Sequence, residues 1–208
     1  MNKVLQACLI VMCSVGLLKG EDRADALQIK APTGWKGETI SLPPSFAPDM
    51  KFKGIEVIRF APGMFDAKSD SFFSYVLVFE VEPKQKLTQK VLQQEVLVYY
   101  RGLAAAVLKN QKVDFDPKSF ALKLEEAKAT AAARPAGAKT HTGDLKWLEP
   151  FVTREPQTLH LEIEAWQDTK SKHNYIFICA SPGKTTGAIW KDMRGIRKSF
   201  YQSRIDEP

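Results

Sequence analysis

Cysteine is scarce in this chain. There are 3 in 208 residues, and two of them, Cys8 and Cys13, stand within the first twenty. Beyond that leader only Cys179 is left, so no intramolecular disulfide can form there, and a chain of this length can bury a core without one. There is no Cys-x-x-Cys pair, an absence that lowers the odds of an enzyme without excluding one. Cys179 ends the apolar run Tyr175-Ile176-Phe177-Ile178-Cys179 and reads as a small buried hydrophobe. Histidine is equally sparse at 3 residues, with no His-Glu-x-x-His. The Gly-x-Ser-x-Gly elbow and the dinucleotide glycine fingerprint are both missing. Gly183-Lys184-Thr185 has Ile178 where a phosphate loop needs its first glycine, so a Walker-type site is excluded. With none of these fingerprints present, no cofactor is expected.

Long hydrophobic runs are also lacking. The one that exists, Val4 to Leu18, follows Lys3 and contains no charge. It is shorter than the roughly 20 residues that span a bilayer as a helix. A positive residue followed by an apolar stretch is the order of a secretory signal. Residues 1–26 are therefore expected to be a signal peptide. Its cleavage point is ambiguous among Ala24-Asp25-Ala26, Ser14-Val15-Gly16 and Leu18-Lys19-Gly20. The expectation is an exported protein, periplasmic or extracellular, with no transmembrane segment after signal removal.

What is present is ordinary globular composition, 44% hydrophobic and 26% charged, which rules out a wholly disordered or collagen-like chain. The net charge is +6 and the isoelectric point is near 9.1. The charges of residues 1–26 cancel, so the excess belongs to the remainder. A basic chain suits an anionic surface or an acidic envelope protein. Export argues against nucleic acid as a partner.

Hydrophobic periodicity gives the elements. Trp35 to Leu42 reads as an edge strand stopped by Pro43-Pro44. Ile55 to Phe60 is a second strand, closed by the turn Ala61-Pro62-Gly63. Ser71 to Val81 is the strongest strand, apolar on both faces at its centre, as for a strand covered on two sides. Over 88–110 the period becomes helical, with Thr88 as N-cap and Leu92, Val96, Tyr99, Leu103 and Val107 on one stripe. Phe120, Leu122 and Leu124 alternate. Residues 127–143 lack apolar bulk and are expected to be a mobile loop. Leu145–Val152, Leu159–Trp166 and Tyr175–Ala180 are further strands, and Thr185–Tyr201 is a closing helix. The order β-β-β-α-β-β-β-β-α has too few helices for parallel crossovers. It predicts an α+β fold for 27–208: a mostly antiparallel six- or seven-stranded sheet with the long middle helix and the C-terminal helix packed on it.

Three groups of residues bear on chemistry. His160, Glu162 and Glu164 lie two apart on one strand face, opposite Leu159, Leu161, Ile163 and Ala165. Imidazole and carboxylates are ligands for zinc or manganese, although three along one straight strand are too widely spaced for a single ion. They are the candidate site of a metal-dependent or hydrolytic enzyme, weighed against a solvated strand face. Lys191, Arg194, Arg197 and Lys198 fall on one side of the closing helix, away from Ile189, Met193 and Ile196, as a candidate anion- or partner-binding face or an ordinary solvated one. Met64 and Phe65, in the loop after Arg59, are a candidate contact or a tuck into the core.

Gly34-Trp35-Lys36-Gly37-Glu38, Leu42-Pro43-Pro44-Ser45-Phe46-Ala47-Pro48 and Ile58-Arg59-Phe60-Ala61-Pro62-Gly63-Met64-Phe65 resemble stretches of secreted bacterial proteins of unknown function. The element order is also similar to the α/β/α sandwich of the photosystem II extrinsic P subunit. The first resemblance implies export and the second a sandwich fold; neither carries a functional residue. The expectation with the most support is an exported, non-enzymatic binding or accessory protein of the cell envelope. The alternatives are a small enzyme on the His160 strand and an anionic-surface binder through the closing helix.

Overall fold

The computed structural model describes residues 27–109, 111–128 and 134–205, so the expected signal peptide lies outside it, as does part of the segment expected to be a loop. Seven strands form one sheet: β1 (Lys36–Leu42), β2 (Gly54–Phe60), β3 (Tyr75–Val81), β4 (Ala121–Ala127), β5 (Lys139–Leu148), β6 (Pro156–Gln167) and β7 (Asn174–Ser181). Their spatial order is β1-β2-β3-β7-β6-β5-β4, and every neighbouring pair is antiparallel. Helix α1 (Gln89–Leu108) joins β3 to β4, and α2 (Ala188–Ile205) follows β7. This is the α+β fold expected from the pattern.

The two helices cover opposite faces. Thr88 caps α1 by accepting a hydrogen bond from Val91 N at 3.3 Å, which satisfies one of the helix's free donors. The stripe Leu92, Val96, Tyr99, Tyr100 and Leu103 packs on Leu77, Phe79, Leu161, Ile163 and Ile178. On the other face α2 sets Trp190, Met193, Ile196 and Phe200 against Val57, Val78, Phe177 and Cys179, with Leu27 and Ile29 completing that layer. Period-2 alternation sends successive residues of one strand to different helices. That is why β7 at the centre is buried along its whole length and why β3 reads as apolar on both sides.

Several boundaries differ from expectation. β3 begins at Tyr75, not Ser71, because Phe73 takes a left-handed conformation (φ +46) that ends the extended run. β5 starts at Lys139, so residues 139–143 are strand and not loop. Ladder partners on both sides, β4 and β6, hold this stretch, and its own side chains do not advertise it. β5 also stops at Leu148. Glu149, fully buried, instead turns the chain: Oε1 accepts from Phe151 N at 2.6 Å and Oε2 from Val152 N at 2.9 Å and Thr153 N at 2.6 Å.

Candidate functional site

A cavity of about 440 Å³ opens between the β1–β2 edge and the C-terminal half of α1. Register explains it. Lys36, Glu38, Ile40 and Leu42 of β1 lie opposite Phe60, Ile58, Glu56 and Gly54 of β2, and all of these face α1. The helix supplies Tyr99 and Leu103, β3 supplies Tyr75, and the loop after β2 supplies Ala61 to Asp66. That loop is built to fold back: Gly63 has φ +84, and a Cβ there would lie 2.3 Å from Ser69 Oγ. Phe73 N donates to Met64 O at 2.9 Å. Of the two loop residues singled out, Met64 is buried and Phe65 half-buried, and both line the cavity.

The wall is mostly apolar, and five of its rings form a closed circuit. Centroid distances run Phe60–Phe65 6.4 Å, Phe65–Phe151 5.9 Å, Phe151–Phe73 5.7 Å, Phe73–Tyr75 5.8 Å and Tyr75–Phe60 6.4 Å. All fall within the range of favourable aromatic pairs. Phe151 reaches this circuit because Glu149 pins its loop.

Behind the wall lies a polar cluster. Glu56 is 1% exposed. Its Oε1 accepts from Tyr99 Oη at 2.9 Å, and its Oε2 has no hydrogen-bond partner. Tyr75 and Tyr100 bond to each other through their hydroxyls. Burial pushes the Glu56 carboxyl up to about 8; the Tyr99 hydrogen bond opposes this and the nearby Glu38 adds to it. Glu38, in the cavity wall, is itself raised by burial. Among the described residues no ion pair joins Glu38, Glu56 or the rim residue Asp66 to a cation. A buried carboxyl without a counter-charge is costly to keep, and such groups concentrate at functional sites.

The residues singled out in the sequence lie elsewhere. His160, Glu162 and Glu164 do share a face, but that face is not a solvated one. α2 covers Glu164 completely and Glu162 nearly so. Arg194 donates to Glu162 through Nη2 at 2.5 Å and Nε at 3.1 Å, and Arg197 Nη2 stands 3.2 Å from Glu162 Oε2. Tyr201 Oη donates to Glu164 Oε2 at 2.6 Å, and Arg197 Nε lies 3.7 Å from Glu164 Oε1. His160 pairs instead with its ladder neighbour on β5, its Nδ1 2.7 Å from Asp144 Oδ1. Among the described residues no group of three or more His, Cys, Asp and Glu is placed to hold a metal ion.

The basic face of the closing helix is corrected by the same contacts. Lys191 and Lys198 are exposed, but Arg197 is buried and Arg194 half-buried. The two arginines neutralise carboxylates of β6, and Arg194 also lies over the Trp190 ring at 5.4 Å. Helical spacing placed them beside the lysines, but guanidinium groups reach carboxylates across the sheet. Cys179 is buried beneath them, and burial pushes its thiol up to about 12, so it is no nucleophile at neutral pH.

Sequence reasoning missed Glu38, Glu56 and Tyr99. A signal was there: in Gly54-Ile55-Glu56-Val57-Ile58-Arg59-Phe60 the glutamate shares its face with Ile58 and Phe60, and a charge on an apolar face of a strand is the anomaly to follow. No family model, curated protein or solved structure matches the chain.

Proposed function

We propose that this chain is an exported, non-enzymatic binding protein, periplasmic or extracellular, whose ligand is a small, largely apolar molecule held in the cavity beneath α1. The observation that carries this reading is the cavity itself. Its 440 Å³ lies in the size range of small-molecule pockets, and its build matches theirs: aromatic walls, a few convergent polar groups and a rigid scaffold. Phe73 in its wall holds a left-handed backbone with a bulky side chain, strain of the kind found at ligand clamps. The charged-then-apolar order of residues 1–26 supports export. Among the described residues no helix is long and apolar enough to cross a membrane.

The test is binding by the chain from residue 27 onward. Native mass spectrometry after isolation from the envelope fraction should show a bound small molecule, and a panel of apolar aromatic compounds should raise its melting temperature. Leu103→Trp, which puts bulk into the cavity, should abolish both effects. No response to any compound, or equal response from the variant, overturns the reading.

A hydrolytic reading has one observation in its favour. Asp144 holds Nδ1 of His160, as the orienting half of a base–nucleophile pair does, at the edge of a groove of about 710 Å³. Ester hydrolysis lost in His160→Ala would establish it.

A further inference from the structure

The pocket's ligand, we infer, is an organic ammonium, its apolar body among the rings of the cavity and its positive charge balanced by Glu38 with Glu56 behind it. This rests on the cavity being a binding site and adds the charge of what it binds.

Three observations converge. The first is the closed circuit of Phe60, Phe65, Phe151, Phe73 and Tyr75. Aromatic faces carry negative potential and attract ammonium groups, and a cage of several rings is the usual receptor for alkylated nitrogen. The second is the pair of carboxylates. Glu38 lines the cavity, and Glu56 stands on the same face of the next strand, bonded to the wall residue Tyr99. The titratable groups felt by Glu56 are Glu38 from β1, Tyr75 from β3 and Tyr99 and Tyr100 from α1. None is a cation. The charges at the rim, Lys36 and Asp66, cancel formally, so the interior excess is negative. The third is an unused hydrogen-bonding atom: Glu56 Oε2 is buried without a partner. A positive charge docked nearby would supply what this face lacks.

Proton linkage sharpens the inference. Burial holds the Glu56 carboxyl up near 8, so at neutral pH it is largely protonated. A bound cation favours the ionised form. Binding therefore releases a proton, and affinity rises with pH up to about 8.

The test compares benzyltrimethylammonium with neopentylbenzene, its neutral carbon isostere, by titration of the chain from residue 27 onward. The ammonium should bind about tenfold tighter or more. Glu38→Gln should remove most of that preference, read as the ratio of the two affinities. Ammonium affinity should be several-fold higher at pH 8.5 than at pH 6.5, and Glu56→Gln should flatten that dependence. If Glu56→Gln does not fold, Tyr99→Phe gives a second test: it removes the hydrogen bond that holds the carboxyl down, so the rise in affinity should move to higher pH, and an unmoved profile overturns the role of Glu56. Equal affinity for the two compounds, or preference for the neutral one, overturns the charge inference and leaves the pocket reading standing. If neither compound binds while apolar aromatics do, the charge inference again falls alone. If nothing binds, both fall together.

Discussion

Both faces of the sheet bury carboxylates, and they treat them oppositely. Under α2, Glu162 and Glu164 sit among Arg194, Arg197 and Tyr201. Under α1, Glu56 has one hydroxyl donor and an acidic neighbour. The first arrangement carries its own counter-charges, although Glu164 Oε1 within it also lacks a hydrogen-bond partner. The second is incomplete, and it lies behind a cavity. Burial of a charged residue is thus a poor guide to function by itself; whether the fold supplies the counter-charge is the better one. The distinction also sorts the candidates: His160, Glu162 and Glu164 drew attention by their spacing, but two of the three are occupied in holding α2 down.

The largest effect should come from breaking the neutralised side. Arg197→Ala leaves Glu162 and Glu164 buried with less compensation, and loss of one partner of a buried pair costs roughly 3–5 kcal/mol. Chemical denaturation should show it as a lower midpoint with an unchanged slope. Arg197→Met combined with Glu164→Leu should recover much of the loss, since apolar replacement of a buried pair is often neutral. If Arg197→Ala costs less than about 1 kcal/mol, the α2 face is not held by this network.

Next in size is the pH dependence of the incomplete side. Glu56 has its folded value raised from 4.5 to about 8. Between those values the folded chain holds a proton that the unfolded chain gives up. Stability from this group is full below about 4.5, falls by roughly 1.4 kcal/mol per pH unit across the window, and levels off above 8. Glu56→Gln should therefore gain on the wild type as pH rises from 5 to 8, by an amount on the order of 3–4 kcal/mol. A constant difference between the two across that range would mean that Glu56 is not buried uncharged.

The fold was more legible than the site, for a physical reason. Strand and helix periods are local, so β2, α1 and β6 stand out from Ile55–Phe60, Leu92–Val107 and Leu159–Trp166. The sheet's antiparallel sense follows from having two helices for seven strands. β5 escaped at its start because Lys139 to Gly143 is held by ladder bonds to two neighbours, and those are not encoded in its own side chains. The cavity escaped because it needs β1, β2, β3, α1 and the Glu149 turn at once. Its closest sequence trace is Glu56 on an apolar face. The ion pairs of Arg194 and Arg197 escaped likewise, since helical spacing groups them with Lys191 and Lys198, and only the sheet beneath tells them apart.

The smallest effect should come from a third arrangement, a carboxylate that is paired but wet. Asp144 bonds His160 at 2.7 Å, with 59% of the Asp144 side chain and 33% of the His160 side chain exposed. Water screens such a pair and competes for both partners, so it contributes between 0 and about 1 kcal/mol. His160→Ala and Asp144→Asn should each move the denaturation midpoint by no more than that. A double-mutant cycle should return a coupling within the same bound. The comparison then spans three states of one residue type: buried and neutralised, buried and open, exposed and paired. Only the second combines a cost to the fold with room for a ligand. A coupling above about 2 kcal/mol for His160 and Asp144 would break that ordering. It would mark the pair as rigidly held, which is what the hydrolytic reading requires and a solvated strand face does not.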